Sequence, residues 1–177
     1  MRSRGQHGFA LVDLVFCCGL IGLIAAIATP KMLLAKQSAG SASAIGSLRA
    51  INSGQLTYAF TCGFGFYAPN LTTLGTVPDG GDEAFISLGM ASADTVIHSG
   101  YLFKMSAEPE KQAPASCNGL DAGEGGTGFK ASADPLEPTN SRFFATNSSV
   151  EIFEDTESLY DDMPESGEPE AGHVILH

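Results

Sequence analysis

The chain has 177 residues, enough for one folded domain with a real core and too few for two domains of usual size. Nine Lys and Arg against twenty Asp and Glu give a net charge of −11, which argues against nucleic-acid binding by the bulk of the chain. With 44% hydrophobic and 16% charged residues, the composition is too apolar for a disordered chain.

The charge is divided unevenly. Residues 1–78 carry five basic groups (Arg2, Arg4, Lys31, Lys36, Arg49) and one acid, Asp13; the remainder carries four basic groups and nineteen acids. A weakly basic, apolar head precedes an acidic body. The head opens with a short polar leader, residues 1–8, and then a run of twenty-one residues with a single charge, Phe9 to Thr29, followed by Pro30 and Lys31. At about 1.5 Å per residue, this run spans roughly 30 Å as a helix, the thickness of a bilayer's hydrocarbon core.

Three readings of the run compete: a membrane anchor, a secretory signal peptide with Ala26-Ile27-Ala28 as its cleavage motif, and a buried core helix, which would need a larger protein around it. Asp13 separates them. An unpaired carboxylate in hydrocarbon costs on the order of several kcal/mol, so its presence points to a function. It lies one helical turn from Phe9. A cut after Gly8 would create an α-amino group at Phe9, which a carboxylate at the fifth position of the mature chain can neutralise, on its own chain or a neighbour's.

These residues together carry a resemblance. The basic leader, Gly8 before Phe9, Asp13, the apolar helix and Pro30 resemble the N-terminal signature of type IV pilins and type II secretion pseudopilins. Residues 43–75 (SAIGSLRAINSGQLTYAFTCGFGFYAPNLTTLG) are similar to the helix-to-loop stretch of bacterial pilin-like proteins. GYLF (100–103), GFKASADP (128–135) and SRFFATNSSVEI (141–152) resemble that group's strands, the last its closing hairpin. The likeness covers roughly residues 1–153. Most family members have Glu where this chain has Asp13, one methylene shorter.

The resemblance implies an α+β fold, with a long N-terminal helix on a small antiparallel sheet. It also implies a structural subunit rather than an enzyme, without cofactor or metal, in a pilus or a periplasmic secretion pseudopilus. Its implied partners are a prepilin peptidase cutting between Gly8 and Phe9, N-methylation of Phe9, an inner-membrane assembly platform, membrane lipid and other pilin-like subunits. The implied location is the bacterial inner membrane, single-pass, with the C-terminal domain outside the cytoplasm.

Gly19, Gly22 and Ala26, at i, i+3 and i+7, form a small-residue stripe. It serves close helix approach, or simply reflects how common glycine is in membrane helices. Pro30 would kink a continuing helix by removing one backbone bond, as the family's proline does. Leu33, Leu34, Ile45, Leu48, Ile51, Leu56 and Ala59 then extend an amphipathic helix to about Tyr58. Divided this way, the anchor half occupies 9–30, the amphipathic half 31–60, the globular part 61–154 and an acidic tail 155–177.

Residues 60–97 read as a loop region with one short helix around 82–88. Strands are expected near 101–107, 129–133, 142–147 and 150–154, with Tyr101, Phe103 and Met105 alternating against Leu102, Lys104 and Ser106. The last pair would turn at Asn147-Ser148-Ser149, where Asn147 tolerates positive φ.

Of the four cysteines, Cys17 and Cys18 lie in the apolar helix, as small packing residues; Phe16 before them is too bulky for a lipoprotein site. Cys62 and Cys117 either pair, closing a loop worth about 4 kcal/mol, or stay as separate thiols. No Cys or His stands within roughly four residues of either, so a zinc reading fails. Gly123 to Gly128 matches G-x-G-x-x-G, but no apolar strand precedes it and Asp121 and Glu124 would repel phosphate, so it reads as a flexible loop. His7, His98, His173 and His177 have no nucleophile or ligand beside them in sequence. Nine acids and no base between Glu151 and Glu170 read as a solvated extension, or alternatively as a surface for calcium or a basic partner.

Overall fold

From His7 to Thr61 the chain is one α-helix, α1, of 55 residues; the computed structural model describes residues 7–175. The basic leader residues Arg2 and Arg4, and Leu176 and His177 at the other end, lie outside the described residues. By its contacts the chain forms two compact units, one ending at Ala39 and one beginning at Gly40, so the division falls within α1.

In the second unit α1 buries one face. Ser41, Ala44, Leu48, Ile51, Asn52, Gln55, Tyr58 and Ala59 are inside, a spacing of three and four that follows the helical period. The expected stripe is corrected in part. Leu48, Ile51 and Ala59 are buried and Ile45 packs against the core, while Leu56 is half-buried. Leu33 and Leu34 belong to the first unit and are exposed.

The sheet has six strands in sequence order, each antiparallel to the next: β1 Thr95–His98, β2 Tyr101–Ser106, β3 Lys130–Pro135, β4 Phe143–Asn147, β5 Ile152–Asp155 and β6 His173–Val174. The expected alternation holds on β2, where Tyr101, Phe103 and Met105 are buried and their neighbours half-buried. These side chains join Ala131, Ala133, Phe144 and Ile152 in one core with Ala44, Leu48, Ile51 and Tyr58 of α1. The architecture is α+β, a long helix with an antiparallel sheet.

Several expectations are overturned. The short helix is α2, Leu71–Leu74, where the Asn70 side chain caps the amide of Thr73 at 2.9 Å. Residues 82–88 are irregular instead, because the Phe85 amide is spent on the Leu74 carbonyl at 3.1 Å rather than on a helical turn. Ile86 presses into the space over Gly54, where a Cβ would come within 2.7 Å of it. The positive φ of the β4–β5 turn falls on Val150 at 66°, not on Asn147, whose Oδ1 instead accepts the Ser149 amide at 3.0 Å.

The acidic tail is not a solvated extension. Leu159 and Met163 are buried against Ala145 and Phe153 on the sheet face away from α1, with Val174 packed beside them. Asn147 Nδ2 donates to the carbonyls of Pro164 and Gly167 at 3.0 and 2.7 Å, and Tyr160 lies under the ammonium groups of Lys104 and Lys130. Glu157, Asp161, Asp162, Glu168 and Glu170 are exposed while every few residues an apolar side chain docks, a pattern masked by the run of charge.

The glycine loop is likewise packed. A Cβ at Gly126 would meet Ala107 Cβ at 2.6 Å, and Tyr67 and Gly126 exchange backbone bonds of 2.8 and 3.0 Å. These glycines permit close chain crossings and hold no phosphate cradle.

Candidate membrane and assembly helix

The described residues of the first unit are helix, and from Leu11 to Ala26 that helix is apolar on every side apart from Asp13. From Leu11 to Ala26 every residue is exposed, including Leu11, Val12, Leu14, Val15, Phe16, Ile21, Leu23 and Ile24 at 63–69%. A helix that is apolar all round and unburied in its own chain suits a bilayer or a sheath of other helices. The helix is long and apolar enough to cross a membrane.

Asp13 is exposed in the second turn of α1. Four residues separate it from Phe9, so both backbones face one side of the helix. Gly19, Gly22 and Ala26 fall together on another face, about 120° to 180° around from Asp13 by helical geometry. Nothing lies within 4 Å of where a Cβ at Gly19 or Gly22 would sit, so the chain itself does not fill that stripe. The helix runs on through Pro30, which has no N–H for the carbonyl of Ala26. One position back, the Thr29 hydroxyl donates to the Ala25 carbonyl at 2.7 Å.

In the second unit Cys62 and Cys117 form a disulfide with Cα atoms 4.9 Å apart, joining the end of α1 to the long β2–β3 connection. The Cys117 amide donates to the Cys62 carbonyl at 3.3 Å, and Asn118 Nδ2 to the Thr73 carbonyl at 2.7 Å. Cys17 and Cys18 are free and exposed on the apolar helix.

Residues not singled out in the sequence do the positioning. Gln55, fully buried, pairs both ends of its amide with the backbone of Ala68, donating at 2.8 Å and accepting at 2.9 Å. Asn52 Nδ2 donates to Thr146 Oγ1 at 2.9 Å and to the Val150 carbonyl at 3.3 Å, tying α1 to the β4–β5 hairpin. Their only signal was polarity at stripe positions of an amphipathic helix. Tyr101 Oη accepts from Asn140 and shares a bond with Ser41, both at 2.9 Å.

Among the described residues, no group of three or more His, Cys, Asp or Glu is placed to hold a metal ion. Burial pushes the carboxyl of Asp134 above its ordinary range, against the opposing bond from Ser158 and the charge of Lys104. Burial does the same to Glu165, offset by the Glu108 amide. Both groups lie where the tail meets the rest of the domain, so they serve docking. Searches of family models, curated proteins and solved structures find no match to this chain.

Proposed function

We propose that this chain is a pilin-like structural subunit, cut after Gly8 and methylated at Phe9. Its apolar helix is first a membrane anchor and then the core of a pilus or secretion pseudopilus, and its role is assembly, without catalysis. The observation that carries this reading is the helix from Leu11 to Ala26, apolar and exposed on all sides, with a lone carboxylate at Asp13. Its continuity with an amphipathic half and an antiparallel sheet supports the pilin-like reading of the fold. Extraction of the helix from lipid into a bundle of like helices keeps its apolar surface covered throughout, and Asp13 meets the amine of an adjacent Phe9. The peptidase, the assembly platform, inner-membrane lipid and other pilin-like subunits are the partners this route requires.

The test is the N-terminal residue and intact mass of the protein from native membranes and sheared filaments. A methylated Phe9 start is expected; an intact Met1 would overturn the processing route. Asp13→Ala is expected to leave processing intact and to lower incorporation into filaments at least tenfold, and normal filament yield would sink the role given to that carboxylate. A second reading, a secreted domain cut after Ala28, draws support from the compact unit that begins at Gly40, since such a cut leaves it whole. A start at Thr29 is its signature.

A further inference from the structure

Among the chain's five asparagines, Asn118 alone precedes glycine; the others precede serine or leucine. That pairing has a chemistry of its own. The backbone nitrogen of the following residue can attack the asparagine side-chain carbonyl carbon, and glycine, with no Cβ, neither blocks the approach nor restricts the backbone conformation it needs. The reaction runs only where the two groups are free to meet.

In the folded chain both groups are committed elsewhere. Asn118 is buried, at 8% exposure. Its Nδ2 donates to the Thr73 carbonyl at 2.7 Å and to the Thr76 carbonyl at 3.4 Å, and its Oδ1 accepts from the Ser116 hydroxyl at 2.6 Å. The Gly119 amide is turned back to the Ser116 carbonyl at 3.4 Å, in a turn that holds Gly119 at a φ of 89°. Ser116 braces the turn from its other side, since its hydroxyl accepts the Leu120 amide at 3.1 Å and its own amide donates to the Leu120 carbonyl at 2.9 Å.

The anchor of this turn is the residue between Ser116 and Asn118. Cys117 is bonded to Cys62, just past the end of α1, in a connection that is irregular where it carries the turn. The other ties of Cys117 are single hydrogen bonds, its amide to the Cys62 carbonyl at 3.3 Å and its carbonyl from the Asp79 amide at 3.2 Å. Such bonds open in local fluctuations that a covalent link suppresses.

We infer that Asn118 is a deamidation site kept shut by the Cys62–Cys117 disulfide, and that a chain lacking this link converts there. The Gly119 nitrogen gives up its proton and bonds to Asn118 Cγ, and the side-chain nitrogen leaves as ammonia. Water then opens the cyclic imide, at Cγ to give aspartate or at the backbone carbonyl to give isoaspartate. The new carboxylate takes the place of an amide that donated to Thr73 and Thr76, so acceptor faces acceptor in buried surroundings and the turn cannot close again as before. Absence of the link is thereby written into the chain as a lasting mark. The inference is independent of the filament reading.

The test incubates the full chain in detergent micelles at mildly alkaline pH, with and without dithiothreitol, and follows its peptides by mass for the amide-to-acid change and by chromatography for the isoaspartate form. Conversion at Asn118 is expected to be at least about tenfold faster in the reduced chain. Asn147 is the internal reference, because it too is fully buried, precedes Ser148 and is held by the Pro164 and Gly167 carbonyls; its rate should rise far less. Ser116→Ala with the disulfide intact removes the bond to Asn118 Oδ1 and should speed conversion about threefold. Gly119→Ala should slow it about fivefold in the reduced chain, where the added Cβ obstructs the attack. Equal rates at Asn118 with and without the reductant would overturn the inference, as would an Asn147 rate that rises by the same factor, which would make the link a general brake on unfolding. So would an oxidised Ser116→Ala chain that converts no faster than the wild type.

Discussion

The two halves of α1 solve different problems with the same backbone. From Leu11 to Ala26 every side of the helix is exposed, and no described residue covers it. From Gly40 onward one face is fully inside, and it carries polar residues as well as apolar ones. A uniform apolar surface suits surroundings that are alike on all sides, lipid or other helices, and needs no particular register. A face that mixes Leu48, Asn52 and Gln55 has one register on one sheet, because each buried amide must find its partner.

The cysteines test this contrast with the largest effect. Replacing Cys62 and Cys117 by Ser opens a link spanning 55 residues and should destabilise the second unit by about 4 kcal/mol. The equivalent change at Cys17 and Cys18, free and exposed, should leave its unfolding midpoint unmoved. Thermal unfolding of both double variants in detergent checks the pair, and equal losses would break the division into two regimes.

Leucine truncation sharpens the same contrast. Leu48→Ala removes a side chain with no exposure and should cost about 3 kcal/mol, whereas Leu23→Ala should cost the folded domain nothing. At roughly 4 °C per kcal/mol, the first shifts the melting midpoint by about 12 °C. Next in size is Asn52→Ala, which leaves the Val150 carbonyl without its donor and should cost about 2 kcal/mol, read as a lower denaturant midpoint with unchanged slope.

The parts of the molecule legible in the sequence were those with a long, regular signal. The apolar run of α1 and the period-2 alternation of β2 are of that kind, and both strands of the closing hairpin were placed within two residues. β1 and β6 were not, because four and two residues are too few to establish a period. α2 had a signal, the capping Asn70, but one turn of helix leaves almost no pattern behind it. The tail was misread for a different reason. Its charge count pointed to solvation, while Leu159 and Met163, spaced like single anchors, decide where the chain goes. The role proposed for Gly8, Phe9 and Asp13 rests on their combination and on no one of them alone, and the buried amides that orient the domain depend on partners far away in sequence.

The tail also sets the smallest effect, one that depends on pH. Burial raises the carboxyls of Asp134 and Glu165, so their contribution to docking is fully present below the ordinary carboxylate range, about pH 4, and is lost as pH rises through their folded values. Glu154 runs the other way. Arg142 donates to it at 2.5 and 2.9 Å and holds it below its ordinary range, so its contribution is present above about pH 4 and lost on further acidification. Acidification from neutral pH toward the ordinary carboxylate range, about pH 4, should therefore tighten the tail before further acid weakens the β4–β5 hairpin. Both groups are partly exposed, so the gain should stay below about 1 kcal/mol. Amide exchange over residues 158–165, corrected for intrinsic rates, should slow about twofold across that range. Asp134→Asn keeps the shape, removes one titration and should flatten roughly half of the change. A wild-type tail with no pH dependence would mean that Leu159 and Met163 alone hold it, and that the buried carboxyls are bystanders to its docking.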